Sequence, residues 1–88
     1  MKTIYKYPLK VTDSQYLQLP RGCHVLSAGN QDGELVLWAQ VDTDQPLVPH
    51  QVLIYGTGRP FELPGHRAYR YLNTVQMPPF VWHVWVAA

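Results

Sequence analysis

Eight prolines and six glycines punctuate this chain, so few stretches are long enough to form a stable helix without meeting a breaker. What lies between the breakers is rich in β-branched and aromatic residues, which suit a pleated strand better than a helix. The expected fold is therefore all-β, with little or no helix. Thr3–Tyr7 reads as a first strand, with Pro8 where an edge strand or its end tolerates it. Tyr16–Leu19 reads as a short second strand, turned by Pro20-Arg21-Gly22.

The clearest local unit is Cys23–Asp42. Asp32-Gly33 sits between Val25–Ala28 and Glu34–Val41, and Asp-Gly favours a tight hairpin because both central positions need positive φ. On the return strand Leu35, Leu37, Ala39 and Val41 form one apolar face. The other carries Val36, Trp38 and Gln40 and is only partly polar. Pro49 is expected to delay the next strand to His50–Tyr55, and Gly56–Pro60 to break it. Phe61–Arg67 reads as an exposed loop, and Tyr69–Gln76 and Phe80–Val86 as the last strands, interrupted by Pro78-Pro79. Six to seven short strands separated by turn signals predict a small antiparallel sandwich or partly open barrel, occupying residues 1–88 as a single domain.

Size limits what such a fold can do. A chain of 88 residues buries only about 60% of its unfolded surface, and small domains often compensate with disulfides, a metal or a partner subunit. The single Cys23 excludes an internal disulfide and suits a reducing compartment. An oligomer or a tightly packed aromatic core is left. The final strand favours the oligomer. Phe80, Trp82, Val84 and Val86 alternate onto a core face, while Val81 and Trp85 fall on the face that a small sheet would leave wet. With Val36 and Trp38 they form a candidate interface, since Trp is enriched at subunit contacts.

A formal charge of +1 and scattered basic residues do not favour nucleic acid as a partner. Lys2, Lys6 and Lys10 share a strand face that reads as solvated. The start of the chain carries no secretory apolar run, and no segment approaches the roughly 20 apolar residues of a membrane helix. A cytoplasmic protein without a membrane partner is expected.

Catalytic and metal motifs are absent. His24, His50, His66 and His83 fall into no metal-ligand spacing, and neither Ser14 nor Ser27 lies in a nucleophile elbow. Cys23 reads as a small buried apolar residue. No catalytic residue, metal or cofactor is assigned. The candidate ligand site is Gly56-Thr57-Gly58-Arg59. Glycines on both sides of Thr57 could direct successive backbone N–H groups into one concavity that holds an anion, with Arg59 as a fork for phosphate or carboxylate. The competing reading is a strand-ending turn. Asn73, Gln76 and His83 would add hydrogen bonds if the last two strands pair.

Several motifs in order carry a resemblance: Lys-x-Ile-Tyr-Lys-Tyr-Pro-Leu at 2–9, Leu-Pro-x-Gly at 19–22, Leu-Ser at 26–27, Leu-Trp-Ala-x-Val-Asp at 37–42, Gly-Thr-Gly-x-Pro at 56–60, Tyr-Leu-x-Thr-Val-Gln at 71–76 and Val-Trp-His-Val at 81–84. The chain resembles a family of small bacteriophage and prophage proteins over nearly its whole length. It departs from the family pattern at Asn73, where relatives usually carry Gly, and over Leu63–Arg70. The resemblance implies an accessory protein acting inside the infected cell. The expectation is a non-enzymatic protein that binds and inhibits a host defence protein. The alternatives are a sponge for a small anionic or nucleotide ligand, a small nucleotide-acting enzyme using His83 or His66, and a structural virion component.

Overall fold

The computed structural model describes residues 1–88. Seven antiparallel strands form two sheets and there is no helix. The strands are β1 (Lys2–Pro8), β2 (Ser14–Pro20), β3 (His24–Gln31), β4 (Glu34–Asp42), β5 (Leu47–Gly56), β6 (Tyr69–Met77) and β7 (Phe80–Ala87). One sheet has the order β1-β4-β3 and the other β2-β5-β7-β6. They stack as an open sandwich that does not close into a barrel. The Cα atoms fill a slab of 40 × 34 × 16 Å, the depth that two stacked sheets require.

Alternation places the core. Leu35, Leu37, Ala39 and Val41 of β4, Val25 and Ala28 of β3, Val52 and Ile54 of β5, Val75 of β6, and Val84 and Val86 of β7 form one buried cluster with Leu9 and Leu19. Each fully buried aliphatic side chain contributes about 1.5–3 kcal/mol of transfer free energy. The β3–β4 hairpin closes on Asp32 and Gly33 at φ 53° and 86°, with Gln31 opposite Glu34. This is the mirror-image turn that Asp-Gly favours. Pro49 lies inside β5 rather than before it. Residues 47–51 pair with β2 alone and β7 joins only at Val52, so a missing N–H is tolerated there.

Edge strands β3 and β6 come from different sheets, and side chains clip them together. The Asn73 amide accepts from the Ala28 N–H at 2.8 Å and donates to the Ala28 carbonyl at 2.8 Å. Arg70 donates to the Val25 carbonyl at 3.1 Å, and Asn30 to the Gln76 carbonyl at 3.2 Å. Both strands carry a register shift at this seam, between Val25 and Ser27 and between Tyr71 and Asn73. A bulge re-aims side chains and interrupts an edge, and these bonds satisfy backbone groups that an exposed edge would present to another chain.

The structure revises the four interface candidates. Val36 and Trp38 lie on the outer face of the three-stranded sheet, whereas Val81 and Trp85 lie on the outer face of the other. No single flat contact can use all four. Val36 is not exposed at all, at 1%. Lys6 on β1 donates to Gln31 on β3 at 2.7 Å, crossing over β4 beside Val36. The Trp38 indole lies against Gly29, where an added Cβ would be 2.6 Å from the ring, and Gly29 is the register partner of Val36. Phe80, expected in the core, is 57% exposed. It is the first residue of β7 and stacks on Trp82, with ring centroids 5.4 Å apart.

Candidate aromatic cleft on the four-stranded sheet

The outer face of the four-stranded sheet is built by register. Tyr55 pairs with His83 and Leu53 with Trp85 across β5 and β7. Tyr71 pairs with Trp85 and Thr74 with His83 across β6 and β7. Antiparallel partners share a face, so four aromatic or imidazole rings and a threonine converge. The segment joining β5 to β6 folds back instead of standing free as an exposed loop. Phe61 stacks on Tyr55 at 4.4 Å and 20° and lies 6.3 Å from Trp85, while Tyr71 meets Trp85 edge-on at 5.3 Å. Leu53 is fully buried although it points away from the core. Between these rings and the Gly56–Arg59 turn lies a cleft of about 490 Å³.

A chain of hydrogen bonds crosses the cleft. Thr57 Oγ1 is 2.7 Å from His83 Nε2, and Thr74 Oγ1 is 2.9 Å from His83 Nδ1. The Tyr71 hydroxyl bonds in turn to Thr74 Oγ1. Both ring nitrogens of His83 are therefore engaged, and a bound molecule meets the imidazole through the hydroxyls. Burial raises the pKa of the Tyr55 phenol.

The turn does not form the anion cradle read from its glycines. The Thr57 N–H donates to the Val81 carbonyl at 3.3 Å and the Arg59 N–H to the Gly56 carbonyl at 3.2 Å, so two of the N–H groups are spent inside the fold. Arg59 is paired with Asp13 at 2.9 Å, which offsets the charge an anion would seek. Gly58, at φ 83°, serves the strand-ending turn. Of the sequence-derived ligand residues, Gly56, Thr57, Gly58, Arg59 and His83 line this cleft and Gln76 does not. Gln76 lies further along β6, and Asn73 faces the other sheet. Tyr55, Phe61, Tyr71 and Thr74 were missed, although the alternation Tyr69-x-Tyr71 carries part of the signal. Phe61 had none, since only the fold of its loop returns it to Tyr55.

Three other clefts open on the molecule, and two of them bear on function. One, of about 510 Å³, is lined by Val11, Asn30, Gly33, Met77, Pro78, Pro79, Phe80 and Trp82 and is apolar apart from Asn30. The other, of about 370 Å³, includes Cys23, His24, His50, Arg67 and Arg70. Cys23 is a half-buried free thiol, with Sγ 3.7 Å from His50 Nε2. Burial raises the thiol pKa and lowers that of His50. Desolvation thus opposes both ions of a thiolate–imidazolium pair, and the contact joins a neutral thiol to a neutral ring. No group of three or more metal-ligating side chains forms anywhere in the molecule.

Residues 1–88, the whole chain, match the family model described as a domain of unknown function, DUF7352. No curated protein and no solved structure gives a significant match.

Proposed function

The chain belongs to the DUF7352 family, and we propose that it is a non-enzymatic accessory protein of a bacteriophage or prophage that binds and inhibits a host protein inside the infected cell. The observation that carries the proposal is the aromatic cleft. Phe61 and Tyr71 are 48% and 45% exposed and rim a pocket floored by Trp85 and Tyr55, beside hydroxyls able to hydrogen-bond a side chain entering from a partner. Large aromatic residues with a polar tip dominate the energetics of protein contacts.

The resemblance to phage and prophage proteins supports the cellular setting. A small planar ligand in the same cleft is the alternative, and the spent N–H groups and the Arg59–Asp13 pair favour a neutral ligand over an anion. The proposal includes a homo-oligomer. The apolar end groove, with Phe80 and Val11 exposed, is the surface that would meet a second copy. A sedimentation mass near 10 kDa at micromolar concentration would contradict that part.

The test is a capture experiment from infected host cells, comparing the wild type with Phe61→Ser/Tyr71→Ser. Both positions are exposed, so the variant should fold, as its melting curve checks. The expected result is one host protein retained by the wild type and lost by the variant. Identical captured sets, or a bound small molecule without a protein, would overturn the protein-inhibitor reading.

A further inference from the structure

We infer that the end cleft formed by the starts of β3, β5 and β6 is a binding site for a phosphate-bearing small molecule. Arg67 and Arg70 both line it, together with His24 and His50, and no Asp or Glu does. The ion pairs of the molecule join the Met1 amine to Asp42 and Asp44, and Arg59 to Asp13. Neither Arg67 nor Arg70 takes part in one. Two guanidinium groups therefore share a concave site that also includes Ala88, and neither is engaged in an ion pair, in a chain whose formal charge is only +1.

Arg70 is also held in place. It sits opposite Val86 in the β6–β7 register, and its Nη2 donates to the Val25 carbonyl at 3.1 Å. That bond fixes the guanidinium plane while leaving other N–H groups for a ligand. Arg67 and His24 are both exposed and line the same cleft. A forked pair of arginines matches the several oxygens of a phosphate better than a single carboxylate does. Pro49, Val86 and Ala87 supply an apolar wall, which suits the organic part of a phosphomonoester rather than free phosphate. The basic groups are gathered in one small, open cleft and do not run on as a track, so the site does not suit a nucleic-acid backbone. This site is separate from the aromatic cleft and stands or falls independently of it.

The test uses the full chain labelled with ¹⁵N and titrated with adenosine monophosphate, ribose 5-phosphate, inorganic phosphate and, as the uncharged control, adenosine. Phosphomonoesters are expected to shift the amides of Cys23–Val25 and Arg67–Arg70, with adenosine causing no such shift. Arg67→Glu, at an exposed position, is expected to weaken binding at least about tenfold, the effect of losing one charge-assisted hydrogen bond. Lys10→Glu makes the same charge change away from the cleft and is expected to leave the affinity unchanged. Shifts centred on Gly56–Arg59, no shifts at millimolar phosphomonoester, or equal weakening by both charge reversals would overturn the inference. Because the amide shifts are read on the wild type, the result does not depend on any variant folding.

Discussion

The aromatic cleft and the basic cleft lie towards opposite ends of the β5–β7 pair, and they divide two properties that one sequence motif had combined. Gly56-Thr57-Gly58-Arg59 looked like an anion site because it contains glycines and an arginine. In the fold its arginine is paired with Asp13 and two of its N–H groups are spent on the Val81 and Gly56 carbonyls, and rings dominate its surroundings. The unpaired arginines are at the other end, where no glycine motif marks them. The difference teaches that a charged side chain recruits an anion only when the fold leaves it without a carboxylate. That depends on Asp13, 46 residues from Arg59 in sequence.

Substitutions can separate the two ends. The largest effect is expected from Trp85→Ala, which removes the ring that touches both Tyr71 and Phe61 and uncovers Leu53. A loss of about 3 kcal/mol is expected for truncating a large packed aromatic, measured by urea unfolding, while the folded fraction still binds phosphomonoesters. Should Trp85→Ala abolish phosphomonoester binding at full folding, the two clefts would not be independent. Asn73→Ala comes next. It orphans the N–H and carbonyl of Ala28 at the seam between β3 and β6, and about 2 kcal/mol is expected to be lost. Because Arg70 lies on the same seam, this variant should also weaken phosphomonoester binding more than Trp85→Ala does.

A smaller effect is expected from Thr74→Val, which removes the hydroxyl linking His83 to Tyr71 and leaves the shape nearly unchanged. Its stability cost should stay near 1 kcal/mol, so a loss of host-protein capture in this variant would trace to the hydroxyl chain and not to unfolding. The smallest effect concerns acid. Burial holds the pKa of His50 below its ordinary value of 6.5, so the unfolded chain takes up that proton first as the pH falls. Stability present above that value is therefore lost on acidification. Between about pH 7.5 and about pH 5.5 the urea midpoint should drop slightly more for the wild type than for His50→Gln, and equal drops would remove His50 from the account.

How much could be read without the structure follows from how local each signal is. An all-β chain of six to seven short strands and the β3–β4 turn were legible because alternation and Asp-Gly act over a few residues. The convergence of Thr57 and His83 could be anticipated only on the condition that the last strands pair. The burial of Val36 was not legible. It depends on a Lys6–Gln31 bond crossing a strand and on a glycine that admits the Trp38 ring. The Arg67–Arg70 cleft was equally hidden, since what distinguishes it is the absence of an Asp or Glu side chain beside the two arginines, which no spacing encodes. The apolar share that suggested a second subunit is partly consumed inside the chain, as Phe61 on Tyr55 and Tyr71 on Trp85.

The most direct measurement is the affinity of the captured host protein for three purified forms of the chain: wild type, Phe61→Ser/Tyr71→Ser, and Arg67→Glu. If the aromatic cleft is the contact, the cleft variant binds at least about 30-fold more weakly, as loss of an interface hot spot predicts, and Arg67→Glu binds as the wild type does. Wild-type affinity in the cleft variant, with its fold intact, would contradict the account.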